Sequence, residues 1–142
     1  MSGRLLAILA SVVVAATVIA AVWVIGSPSA QRDVRIDQHR VQDLQQIGQL
    51  LDLYAREHDR LPPDLQTLAR QPGQRVAIAD PVDGAPYVYE ALGARRYRLC
   101  ARFATDTART RDAAIPDEWS HGAGRHCFDR EAGRRRDAVH AP

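Results

Sequence analysis

Residues 5–25, LLAILASVVVAATVIAAVWVI, run for 21 positions without a charge. A helix of that length spans roughly 30 Å, about the thickness of a hydrocarbon core. A helix at the edge of a small soluble core keeps a polar face, and this one has none. Trp23 stands near its end, where aromatic rings favour the membrane interface. The expected partner of residues 5–25 is therefore a lipid bilayer. A signal peptide is the alternative, with Arg4 as its positive start and SPSA as its small residues. The run exceeds the usual apolar stretch of about 7–15 residues, and Pro28 suits cleavage after Ala30 poorly. An uncleaved anchor is expected.

The cysteine count bears on topology. Cys100 and Cys127 both follow the apolar run. Two cysteines in a small exported domain more often form a bridge than a catalytic pair. Arg32, Arg35 and Arg40 follow the span, so the positive-inside rule alone does not favour export. A single span behind a short N-terminal flank suits a signal anchor, and the cysteines favour an exported C-terminal part. All 19 basic residues are arginine, against 17 acidic ones. Only Arg4 precedes the loop at 26–29, so no net basic field remains beyond it to draw in nucleic acid.

Past the Gly-Ser-Pro-Ser break, Val34, Val41, Leu44, Ile47, Leu51 and Tyr54 recur at helical spacings. They predict an amphipathic helix over 33–58, with Leu44, Ile47, Leu51 and Tyr54 as its core seam. Pro62 and Pro63 end it, and Pro63 can open a short helix through Leu68. Residues 76–80 read as a short extended run. Asp80, Pro81 and Gly84 in DPVDG are turn chemistry. Tyr87–Tyr89 and the alternating Tyr97–Phe103 run predict a hairpin about Gly93. A lone hairpin is marginal in water and needs a surface, which the 33–58 helix offers. The run His126–Phe128 offers a third strand. Cys100 and Cys127 would then lie close enough to bridge, closing a loop worth about 3 kcal/mol.

The order of these parts resembles the pseudopilins of type II secretion and the wider type IV pilin-like group. The residues that carry the likeness are Tyr54, Leu61-Pro62, Asp80-Pro81, Gly84 and Pro86-Tyr87, within about residues 40–103. The resemblance implies a pilin-like α+β fold, with a transmembrane helix and a long amphipathic helix packed on a small antiparallel sheet. It also implies a place in the bacterial inner membrane with the domain in the periplasm. The prepilin cleavage motif is missing. Gly3-Arg4-Leu5 stands at its place, and no acidic residue precedes Asp33. A fixed anchor rather than a processed filament subunit is expected. The implied organisation is a cytoplasmic 1–4, a span at 5–25, a linker at 26–32, a periplasmic domain at 33–128 and a disordered tail at 129–142.

Candidate chemistry is sparse. The family's major member binds calcium, but Asp80, Asp83, Asp106 and Asp112 show no EF-hand spacing. His121, His126, Cys100 and Cys127 lack the close pairs of a zinc site. Ser120-His121 are neighbours in sequence, which does not make a triad. Glu57, Asp59 and Asp64 flank a helix end and read as solvated, as do Arg134–Arg136. Tyr54, Tyr87, Tyr89, Tyr97 and Trp119 read mainly as core. The expectation is a structural or interaction protein, not an enzyme, without metal or cofactor. Its partner would be another envelope protein or a second copy. The alternative is a small periplasmic metal- or ligand-binding module using the His121–Cys127 loop.

Overall fold

Helix α1, Gly3–Ile25, is the apolar run. In the computed structural model, which describes residues 3–25, 27–110 and 115–133, the chain divides into two units, Met1–Val34 and Arg35–Pro142. The large apolar side chains of α1 from Leu5 to Val24 are 51–86% exposed. Its hydroxyls are turned inward on the helix. Ser11 donates to the Ala7 carbonyl at 2.9 Å, and Thr17 to those of Val13 and Val14 at 2.9 and 2.8 Å. Both hydroxyls within the uncharged run are thus satisfied by the helix's own carbonyls, as an apolar solvent requires. Helix α2, Pro28–His58, starts earlier than the sequence reading placed it. Ser27 Oγ accepts from the Ala30 amide, and Pro28 takes the first helical position, where its missing N–H costs nothing. Residues 28–32, read as linker, are thus helical.

In the second unit, α2 and a sheet share one core. Leu44, Ile47 and Leu51 are fully buried and Tyr54 nearly so. They join Tyr97, Leu99, Ala101, Phe103 and Phe128 in a single apolar cluster. Strands β1 (Val88–Ala91), β2 (Arg96–Phe103) and β3 (Gly124–Glu131) form an antiparallel sheet in the order β1-β2-β3. Gly48 lets β2 approach α2: a Cβ there would lie 3.2 Å from the Tyr97 hydroxyl. The fold is therefore α+β, a long apolar N-terminal helix with a small antiparallel sheet.

Several boundaries differ from expectation. The third strand extends on both sides of His126–Phe128, so residues 129–131 are strand rather than tail. Each of them has a β2 partner, with Asp129 opposite Arg98 and Glu131 opposite Arg96. The short helix α3, Leu65–Ala69, is capped by Asp64, whose carboxylate accepts from the Thr67 amide at 2.7 Å. Side-chain capping, not Pro63, sets its start. The 76–80 run forms no strand. It makes one bridge, Ala79 to Pro86, with the Tyr87 amide donating to Ile78. Between β2 and β3 lie a four-residue helix α4, Thr107–Thr110, and a single 3-10 turn, Asp117–Trp119. Asp112, Arg134–Arg136 and the rest of the expected tail at 134–142 lie outside the described residues, as does Gly26.

Candidate functional site

The outer sheet face and the polar groups that brace the sheet carry the chemistry of the domain. Alternation along β2 sends Tyr97, Leu99, Ala101 and Phe103 to the core and Arg98, Cys100 and Arg102 to the opposite face. Cys100 pairs directly with Cys127 of β3, and the two are joined in a disulfide with Cα atoms 4.0 Å apart. That spacing marks a pair whose amides point away from each other. The neighbouring rungs are ionic. Arg98 reaches Asp129 with two hydrogen bonds, 2.6 and 2.9 Å, and lies 3.8 Å from Glu90 of β1. The Arg98 guanidinium holds the Asp129 carboxyl below the usual carboxylate range. On the other side of the disulfide, Arg102 stands directly opposite Arg125, and both are exposed.

Beneath the sheet, α2 carries buried charge. Arg40 donates to Asp37 at 2.9 Å and to both Asp80 oxygens at 2.6 and 3.1 Å. All three side chains are buried. Asp37 also accepts from the Ala104 and Thr105 amides and the Thr105 hydroxyl, tying the end of β2 to α2. Asp80 accepts from the Val82 and Asp83 amides in the DPVDG turn, where Gly84 adopts φ +70. Burial alone would raise Asp80, but Arg40 and these amides hold it below its ordinary value. Asp43 accepts from the Tyr87 hydroxyl at 2.7 Å. The predicted turn residues thus do more than turn. Asp80 is a buried anchor for α2, while Pro81 and Gly84 are exposed.

Asp37, Arg40 and Asp43 were not singled out from the sequence. A signal was present. Positions 37, 40, 44, 47, 51 and 54 share one helical face, so Asp37 and Arg40 continue the apolar seam with charge. Charges in register with a core stripe must be paired when buried.

The other candidates disperse. Asp83 is exposed, and its carboxylate accepts from the Ala85 amide. Asp106 accepts from the Arg109 amide. The Ser120 hydroxyl donates to the Asp117 carbonyl rather than engaging His121. Asp64 is spent as a cap and Asp59 sits 3.4 Å from Arg95. Tyr54, Tyr87, Tyr97 and Trp119 are buried and Tyr89 half-buried, with its hydroxyl donating to the Pro62 carbonyl. Because Cys100 and Cys127 are joined, neither offers a thiolate. Among the described residues no three His, Cys, Asp or Glu side chains gather as metal ligands.

His121 is the exception in its loop. It is fully buried and stacked on Phe103 at 3.7 Å between ring centroids, and among the described residues neither ring nitrogen meets a partner in good hydrogen-bond geometry. Burial pushes its pKa down. The Gly122 backbone, the nearby Asp37 of α2 and the Thr105 backbone favour the proton more weakly, and His126 of β3 opposes it. Below about pH 6.5 the unfolded chain binds a proton that the folded chain refuses, so stability falls as pH falls from there. The slope is at most about 1.4 kcal/mol per pH unit and ends at the lowered folded pKa. Urea midpoints of the full chain in detergent should therefore drop between pH 7.5 and 5.5, and His121→Leu should flatten that drop.

No family model matches the chain, and no curated protein or solved structure matches it.

Proposed function

We propose that this chain is a single-pass, membrane-anchored structural or interaction protein of the bacterial envelope, with its α+β domain on the periplasmic side. One observation carries the reading: a 23-residue helix with exposed large apolar side chains precedes a disulfide-closed domain. The helix needs an apolar solvent, and the bridge needs an oxidising compartment. The long α2 against a small antiparallel sheet supports the likeness to pseudopilins. The lack of an acidic residue ahead of Asp33 favours a fixed anchor over a processed filament subunit. An oxidised pair of cysteines and dispersed carboxylates leave a surface that binds rather than one that reacts.

Membranes of cells expressing the full chain provide the test. The chain should resist alkaline extraction, and protease added to spheroplasts should degrade the C-terminal domain. Extraction into the soluble fraction, or a domain shielded until the inner membrane is broken, would overturn the reading.

A further inference from the structure

The outer face of the sheet is charge-matched everywhere but at one rung. Arg96 faces Glu131, and Arg98 faces Asp129 with Glu90 beside it. Arg102 and Arg125 face each other instead. Like charges directly opposite on a sheet oppose its formation. Neither arginine has an ion-pair partner among the described residues; the contact recorded for Arg125 is its guanidinium 4.0 Å from the Cys100 sulfur. Among the described residues the sheet matches its other charged rungs and leaves this one without a counter-charge.

Its place in the domain narrows the anion. The second unit begins at Arg35, two residues before Asp37. Asp37 holds the amides of Ala104 and Thr105, two and three residues past Arg102. Arg35, Arg102 and Arg125 therefore share the end of the domain where the chain enters, and all three are exposed. Of the acids at this end, Asp37 is engaged with Arg40 and Asp106 with the Arg109 amide, and Asp33, two residues before Arg35, sets one negative charge against the three arginines.

We propose that this arginine rim is a docking surface for anionic phospholipid headgroups of the bilayer that holds α1. Guanidinium groups fork onto phosphate oxygens, and basic residues next to a span are drawn to anionic leaflets. The reading rests on α1 being embedded in a bilayer. Each arginine contributes roughly fivefold to docking on an anionic surface, so losing two costs roughly 25-fold.

The test uses the full chain in nanodiscs of phosphatidylcholine alone or mixed with phosphatidylglycerol, each doped with a gadolinium-chelating lipid. Relaxation enhancement is read at backbone amides. With phosphatidylglycerol, the enhancement at Arg35, Arg102 and Arg125 should exceed that at Asp59 and Arg95. It should fall to the phosphatidylcholine level in Arg102→Gln/Arg125→Gln and in high salt. The thermal midpoint of that variant should not drop, since it relieves a repulsion. Identical profiles in the two lipids, the outcome if the rim instead takes carboxylates of a protein partner, would overturn the proposal. So would strongest enhancement at Asp59 and Arg95. If α1 shows enhancement while the domain profile ignores lipid charge, only the docking surface fails. If α1 shows none, the membrane anchor itself fails, and the docking surface with it.

Discussion

Replacing Arg40 by methionine is expected to destabilise the domain by about 3–5 kcal/mol, the usual cost of removing one partner from a buried ion pair. Methionine preserves most of the packing of the side-chain stem, so the loss is electrostatic. Asp37 and Asp80 would remain buried, with only backbone amides and the Thr105 hydroxyl to satisfy them. For a domain of this size that is a fall in Tm of at least about 12 °C by calorimetry of the full chain in detergent. The effect should depend on pH in a defined direction. In the native protein Asp80 is held below its ordinary value, so its contribution is full above about pH 4 and is lost as pH falls through the lowered pKa. In Arg40→Met the Asp80 carboxyl loses its counter-charge, and burial then pushes it toward the neutral form. The gap between native and variant should therefore narrow on acidification below about pH 4. An Arg40→Met chain that melts like the native one at neutral pH would show that the triad does not brace the sheet.

What could be read from the sequence depended on periodicity. The seam Leu44–Ile47–Leu51–Tyr54 and the alternation Tyr97–Phe103 are local patterns, and both elements formed where those patterns lay. The Cys100–Cys127 pairing follows from the count of two cysteines and from reading His126–Phe128 as a third strand beside the hairpin. The less legible features were long-range. Nothing local in DREAG marks Asp129 and Glu131 as strand; their β2 partners Arg98 and Arg96 do that from 31 and 35 residues away. Asp80 reads as a turn former because Asx chemistry is local, while its partner Arg40 is 40 residues distant and on another element. His121 is harder still. Its burial comes from a stack on Phe103 across a loop, and no spacing rule announces it. The start of α2 differs for the opposite reason: Ser27-Pro28 reads locally as a break, yet Ser before Pro is also a cap followed by a first helical residue.

Removing the bridge with Cys100→Ala/Cys127→Ala should cost about 3–4 kcal/mol, given the 27-residue separation that the disulfide spans. The expected loss is mainly in the unfolded chain, which regains the freedom of that loop. The folded sheet should survive. Each cysteine sits mid-strand, and the β2–β3 register continues on both sides, from Arg96 opposite Glu131 to Phe103 opposite Gly124. Far-UV circular dichroism of the variant should therefore match that of the native chain, while its urea midpoint falls. This contrasts with Arg40→Met, which removes a support from the folded state. The two losses should add within roughly 0.5 kcal/mol if the disulfide and the triad act independently, since they lie on opposite faces of the sheet. Intact mass should show the native protein lighter by two hydrogens than its reduced form. Expression in a reducing cytoplasm should yield a protein with the double variant's stability, because nothing else would close that loop. A double variant as stable as the native chain would mean that pairing of β2 with β3 needs no covalent help. The exported compartment would then have to be argued from α1 alone.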